Sequence, residues 1–220
     1  AGIKKFPSSG VLYNEYGEML DDEKLSAAAI KQWESGIQAD PNYAGNYYNA
    51  AKYYDARGNV LWALLYGEIF INIESLSQRT IAVKDLLFSN YKKLYAAGYL
   101  PGILQKGTAF EKALATVFTK NNSITSLGIS PESLTALRTR FILMWDDKYA
   151  AQFPFHLFDF HLNLLRQGMF DAYNQWVFGA IASSTKFAEW IAAHGEETGA
   201  FQHYQQNVLY KSPGGEYYTH

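Results

Sequence analysis

The 220-residue chain has a formal charge of −2 and no long basic run, which excludes a nucleic-acid footprint, because backbone binding needs clustered Lys and Arg to displace counterions. Hydrophobic residues make up 48% and charged residues 18%, the balance of a folding chain rather than a disordered one. There is no cysteine, which excludes disulfides, thiolate metal sites and a cysteine nucleophile, and no run of about 18 apolar residues offers a membrane span.

Taken in order, residues 1–6 read as the last turns of a helix, stopped by Pro7 and the Ser8-Ser9-Gly10 turn. A helix over 11–20 carries Leu12, Tyr13, Tyr16, Met19 and Leu20 on one stripe. A second, over 25–38, carries Leu25, Ala29, Ile30, Trp33 and Ile37, and Asp40-Pro41 ends it. A third over 44–56 and a fourth over 60–73 meet at Gly58-Asn59. The fourth is apolar nearly all round and is predicted to be the most deeply buried element.

Beyond Glu74 the helical patterning continues without a clean period. A long amphipathic helix over 80–97 is stopped by Gly98 and Pro101. Others follow over 108–119, from Ser130-Pro131 to 147, and over 155–167, 169–182, 185–194 and 198–209. The serine-proline start supplies a capping hydroxyl and a proline at the first helical position. Residues 121–130 read as a polar loop, and 211–215 as a turn or frayed end. No stretch alternates as a strand does, so the fold class is all-α.

The stretch around Gly36-Ile37 and Pro41 repeats the start of the chain at a spacing of 34 residues: Gly2 falls on Gly36, Ile3 on Ile37, Pro7 on Pro41 and Tyr13 on Tyr47. Fixed periods of about 20–50 residues mark stacked helix-turn-helix units. With Gly10 as position 1, Tyr13, Tyr16, Gly17, Leu20, Ala29, Trp33 and Pro41 fall at positions 4, 7, 8, 11, 20, 24 and 32. This pattern resembles the tetratricopeptide repeat. Small residues at 8 and 20 let two antiparallel helices approach, and large ones fill the seam. A second register from Ala44 gives Tyr47, Ala50, Ala51, Tyr54, Gly58 and Ala63, then degrades through Gly67 and Phe70 with no proline at Ser75. The resemblance spans residues 10–77, with a partial preceding repeat in 1–9.

The resemblance implies a right-handed superhelix of helical hairpins over 1–77, continued and capped by a divergent helical region over 78–220. It also implies a concave groove lined by the first helix of each repeat, which receives a peptide or partner helix. The groove positions are Val11, Asn14, Glu18 and Asp21 in the first repeat and Gly45, Tyr48, Lys52 and Asp55 in the second; Asn14, Glu18, Tyr48, Lys52 and Asp55 are the candidate binding residues. Relatives that hold a terminal carboxylate use Lys and Asn at such places. Here Glu18 stands where another donor would help, which weighs against a carboxylate clamp.

The expected function is therefore a non-enzymatic interaction or assembly module with a protein or peptide partner, no cofactor and no metal. An alternative is a helical small-ligand or glycan-binding domain with an aromatic-lined pocket between the two halves; a third reading is an enzyme around His156 and Asp159. His156, Asp159, Asn163 and Arg166 share one helix stripe, the spacing of ordinary surface support. His161 lies off that stripe, and His194, His203 and His220 have no partner at metal-ligand spacing. Glu68, with Asn72 at i+4, is a carboxylate in an apolar helix and needs a buried partner. The lack of cysteine and the wealth of aromatic residues lean towards an extracytoplasmic protein, and the helix-tail start suggests that residues precede Ala1.

Overall fold

A computed structural model describes residues 2–126 and 128–216. Ala1, Leu127 and 217–220, His220 among them, lie outside the described residues. Every regular element among the described residues is helical, as the sequence pattern predicts, and there is no strand. Among the described residues the chain divides into two compact units: residues 2–90 with 210–216, and residues 91–209.

The first unit begins with α1 (Gly2–Lys5), α2 (Gly10–Asp22), α3 (Ser26–Ala39), α4 (Ala44–Ala56) and α5 (Val60–Ile73). Helix α2 packs on α3 and α4 on α5, while α4 also lies against α2 and α3. Small side chains set these distances. A Cβ on Gly17 would stand 2.2 Å from Nε1 of Trp33, and one on Gly36 would stand 2.4 Å from Nδ2 of Asn46. Ala29, Ala50, Ala51 and Ala63 are wholly buried. Trp33 fills the seam so made and donates its indole N–H to the Asn14 carbonyl at 3.4 Å.

The backbone repeats with the sequence. Lys24, between α2 and α3, has φ of +66°, and Gly58, between α4 and α5, has φ of +70°. The two positions are 34 residues apart (58 − 24), so the same left-handed turn is made twice, once by glycine and once by a residue for which it is strained. The residues before α2 and α4, Ser9 and Tyr43, also share an extended conformation. Helix α5 is buried along almost its whole length. Gly67, where the repeat pattern degrades, faces Val83 and Leu87 of α6 (Gln78–Leu94), so the first unit extends past residue 77.

Residues 210–216 also belong to this unit. Ser212 is buried, its N–H donating to Asn42 Oδ1 at 3.0 Å, and its carbonyl accepts from Asn42 Nδ2 at 3.3 Å. Of the two expectations, turn or frayed end, the turn is the one observed, at Gly214–Gly215, and a side-chain amide pairs with both main-chain groups of Ser212, holding the segment as a neighbouring strand would. Nothing in its Lys-Ser-Pro-Gly-Gly composition announces that partner.

The second unit contains α7 (Tyr99–Lys106), α8 (Ala109–Lys120), a short 3₁₀ turn (Asn122–Thr125), α9 (Pro131–Lys148) and α10 (His156–Arg166). Then come α11 (Phe170–Asn174), a π-helical segment (Gln175–Gly179), α12 (Ala180–Ala182), α13 (Ser184–Ala193) and α14 (Gly195–Asn207). The serine-proline start of α9 is a reciprocal capping box between Ser130 and Ser133, and Thr108 and Glu111 cap α8 in the same way. Helix α7 stands where only a break at Gly98 and Pro101 is expected. Gly98 takes φ of +89°, and Pro101 falls in the first turn of α7, where its missing N–H costs nothing. The core is aromatic: Phe118 stacks on Phe141 at 4.5 Å, and Trp145 packs edge-on against Phe158 at 4.9 Å.

Candidate functional site

In the first unit, α2 and α4 border a cleft of about 580 Å³. Helix α2 contributes Glu18, Asp21 and Asp22; α4 and the residue after it contribute Tyr48, Lys52, Tyr53 and Arg57. Trp33 of α3 lines it as well. The volume lies within the usual range for ligand pockets, about 300–1,000 Å³. One helix thus supplies the acids and the other the bases, above aromatic rings.

The charges do not cancel one another. Among the described residues Asp22, Lys52 and Arg57 enter no ion pair. Lys52 Nζ lies 5.0 Å from the centre of the Tyr48 ring and the Arg57 guanidinium 3.8 Å from that of Tyr53, so both cations rest on ring faces that attract them. Tyr48 also meets Arg79 at 5.1 Å. Arg79 is anchored by Glu74; burial pushes the Glu74 carboxyl up, but bonds from Arg79 and Ser77 outweigh it and hold the pKa below the ordinary value.

Of the groove residues expected from the sequence, Glu18, Tyr48 and Lys52 line this cleft, as does Asp21. Asn14 does not. It is buried, donates to Glu18 Oε1 at 2.8 Å and accepts from Asn49 at 3.0 Å, so its amide is committed within the protein. Asp55 accepts from Asn90 Nδ2 at 2.8 Å and serves the packing of α6. Gly45 is buried where a Cβ would meet Tyr43 at 2.7 Å. Asn49, which sequence reasoning passes over, orients the Glu18 carboxylate at 2.9 Å. Its signal is only the three-residue spacing to Lys52.

The other candidates resolve individually. Asp159 is exposed, Asn163 accepts from Gln167 at 2.9 Å, and Arg166 lies 3.8 Å from exposed Asp146, so these three form a solvated helix face, while His156 at the start of α10 is half-buried. Glu68 is buried, and Asn72 donates to its main-chain carbonyl at 2.8 Å. His161, set aside by its spacing, is buried beside Arg138, with Nε2 3.3 Å from a guanidinium nitrogen. Arg138 also donates to Asn174 and lies 5.3–5.9 Å from the ring centres of Tyr91, Phe170, Tyr173 and Phe178. Residues so far apart in sequence leave no motif.

Among the described residues no cluster of three or more His, Asp or Glu is placed to hold a metal ion, and no helix is long and apolar enough to cross a membrane. Compared with known proteins, the chain matches no family model, no curated protein and no solved structure.

Proposed function

We propose that the first unit is a tetratricopeptide-type interaction module that seats a peptide or partner helix in the cleft between α2 and α4, and that its role is binding rather than catalysis. The observation that carries this reading is the cleft's division into an acidic side (Glu18, Asp21, Asp22) and a basic side (Lys52, Arg57) over Trp33, Tyr48 and Tyr53. Across it, among the described residues, Asp22, Lys52 and Arg57 enter no ion pair. A partner presenting a cation and an anion a few residues apart answers both sides, and the rings supply contact area at small entropic cost. The repeated left-handed turn at Lys24 and Gly58 and the approach of Gly17 to Trp33 support the repeat assignment.

The test is a screen of the full chain against an array of immobilised peptides. Retained peptides are expected to carry both basic and acidic residues, and to be released as salt rises past roughly 0.15 M, where charges beyond about 8 Å are screened. The double variant Lys52→Glu and Arg57→Glu should retain none of them while melting within a few degrees of the parent, since both side chains are exposed. Equal retention by the double variant overturns the reading.

A further inference from the structure

A second cleft, of about 470 Å³, lies wholly within the second unit. Glu132, Thr139 and Arg140 line it from α9, Asp171 from α11, Gln175 from the start of the π-helical segment and Trp190 from α13. Widened turns of this kind recur at functional sites. Here the segment begins at Gln175, which is only 4% exposed yet lines the cleft, and whose Nε2 donates to Glu132 Oε1 at 3.3 Å. At the other end of the segment, a Cβ on Gly179 would lie 2.3 Å from the Phe187 ring, so a glycine is what lets α13 close on it and bring Trp190 to the cleft.

The lining is unusual in its charges. Arg140 and Asp171 are exposed, and among the described residues neither enters an ion pair or a side-chain hydrogen bond. The Glu132 carboxyl is held below its ordinary value: burial pushes it up, but bonds from its own amide, Ser130 and Gln175 and the charge of Lys186 more than compensate. His194 stacks on the Trp190 indole at 4.3 Å and 7°, which holds that ring as a fixed platform.

The geometry points to a binding site for a small zwitterion that carries an α-ammonium group, a carboxylate and an apolar side chain, as a free hydrophobic amino acid does. The carboxylate pairs with the Arg140 guanidinium, whose planar fork matches it. The ammonium lies towards Glu132 and Asp171, and the apolar side chain packs on Trp190. A simple anion would face two carboxylates, a simple cation would face Arg140, and a neutral sugar would leave Arg140 and Asp171 without a charged partner. The inference rests on the second unit alone and is independent of the peptide cleft.

Calorimetric titration of the full chain with L-phenylalanine and L-leucine tests it. For ligands of about ten heavy atoms, saturable binding with Kd on the order of a millimolar is expected. Phenylalaninamide, which lacks the carboxylate, and N-acetylphenylalanine, which lacks the ammonium, should each bind at least tenfold more weakly. Arg140→Gln should lose tenfold for phenylalanine but almost nothing for phenylalaninamide, which ties the carboxylate to this residue. Should that variant fail to fold, the comparison of ligands on the parent chain still decides. No saturable binding of either amino acid, equal affinity for phenylalaninamide, or tighter binding of glucose overturns the proposal.

Discussion

The two units solve the burial of polar groups in opposite ways. In the first, polar side chains are shared between neighbouring helices in register: Asn46 donates to the Gly10 carbonyl at 3.0 Å, and Asn49 reaches back to Asn14 and Glu18. Each link joins residues about one repeat apart, so the arrangement belongs to the hairpin pattern. In the second unit a single arginine, Arg138, sits among aromatic rings with His161 and Asn174 as neighbours. That device belongs to no repeat. A periodic scaffold spreads its polar bonding along a seam, whereas an irregular one concentrates it at a point.

The difference is open to attack, most severely at the point. Arg138→Ala should destabilise the chain by about 3–5 kcal/mol in urea unfolding, because it empties the volume between the rings and removes the guanidinium that bonds Asn174 and faces His161. Arg138→Met, which restores most of the volume, should cost less than half as much. Equal losses would mean that the charge itself, rather than the filling, organises that core. At the seam, Gly17→Val forces a branched side chain onto the Trp33 indole and should cost about 3 kcal/mol. Hydrogen exchange should then speed up across residues 10–73 well before it does in α8–α11, and uniform acceleration would deny the seam its local character.

The smallest effect tests the repeat itself. Lys24→Gly relieves a left-handed conformation and should raise stability by about 0.5–1 kcal/mol, while Gly58→Ala, the mirror change one repeat later, should lower it by about 1 kcal/mol. Thermal or urea unfolding of the two variants checks the pair. Shifts of the same sign would break the equivalence of the two turns.

How much of this was readable follows the same division. Gly17, Ala29 and the stop at Pro41 are local signals repeated in phase by Ala51, Ala63 and Pro7, and they specify the hairpins; Glu18, Tyr48 and Lys52 line the cleft between them. Asn14 and Asp55 stand at groove positions, but position on a helix says which way a side chain leaves the backbone, not what meets it: Asn49 meets Asn14 and Asn90 meets Asp55. Helix α7 was hidden because a glycine and a proline that end one helix also begin the next. Arg138, His161 and Asn174 lie 23 and 36 residues apart in their contacts, and only the fold brings them together.

The bond between Asn42 and Ser212 spans 170 positions. At a synthesis rate of about 5–20 residues per second, a ribosome needs roughly ten to thirty seconds to travel between them. For that interval the α3–α4 corner is made but its clasp is not, and the nascent first unit waits with Tyr47, whose hydroxyl the clasp later meets at 3.4 Å, still uncovered.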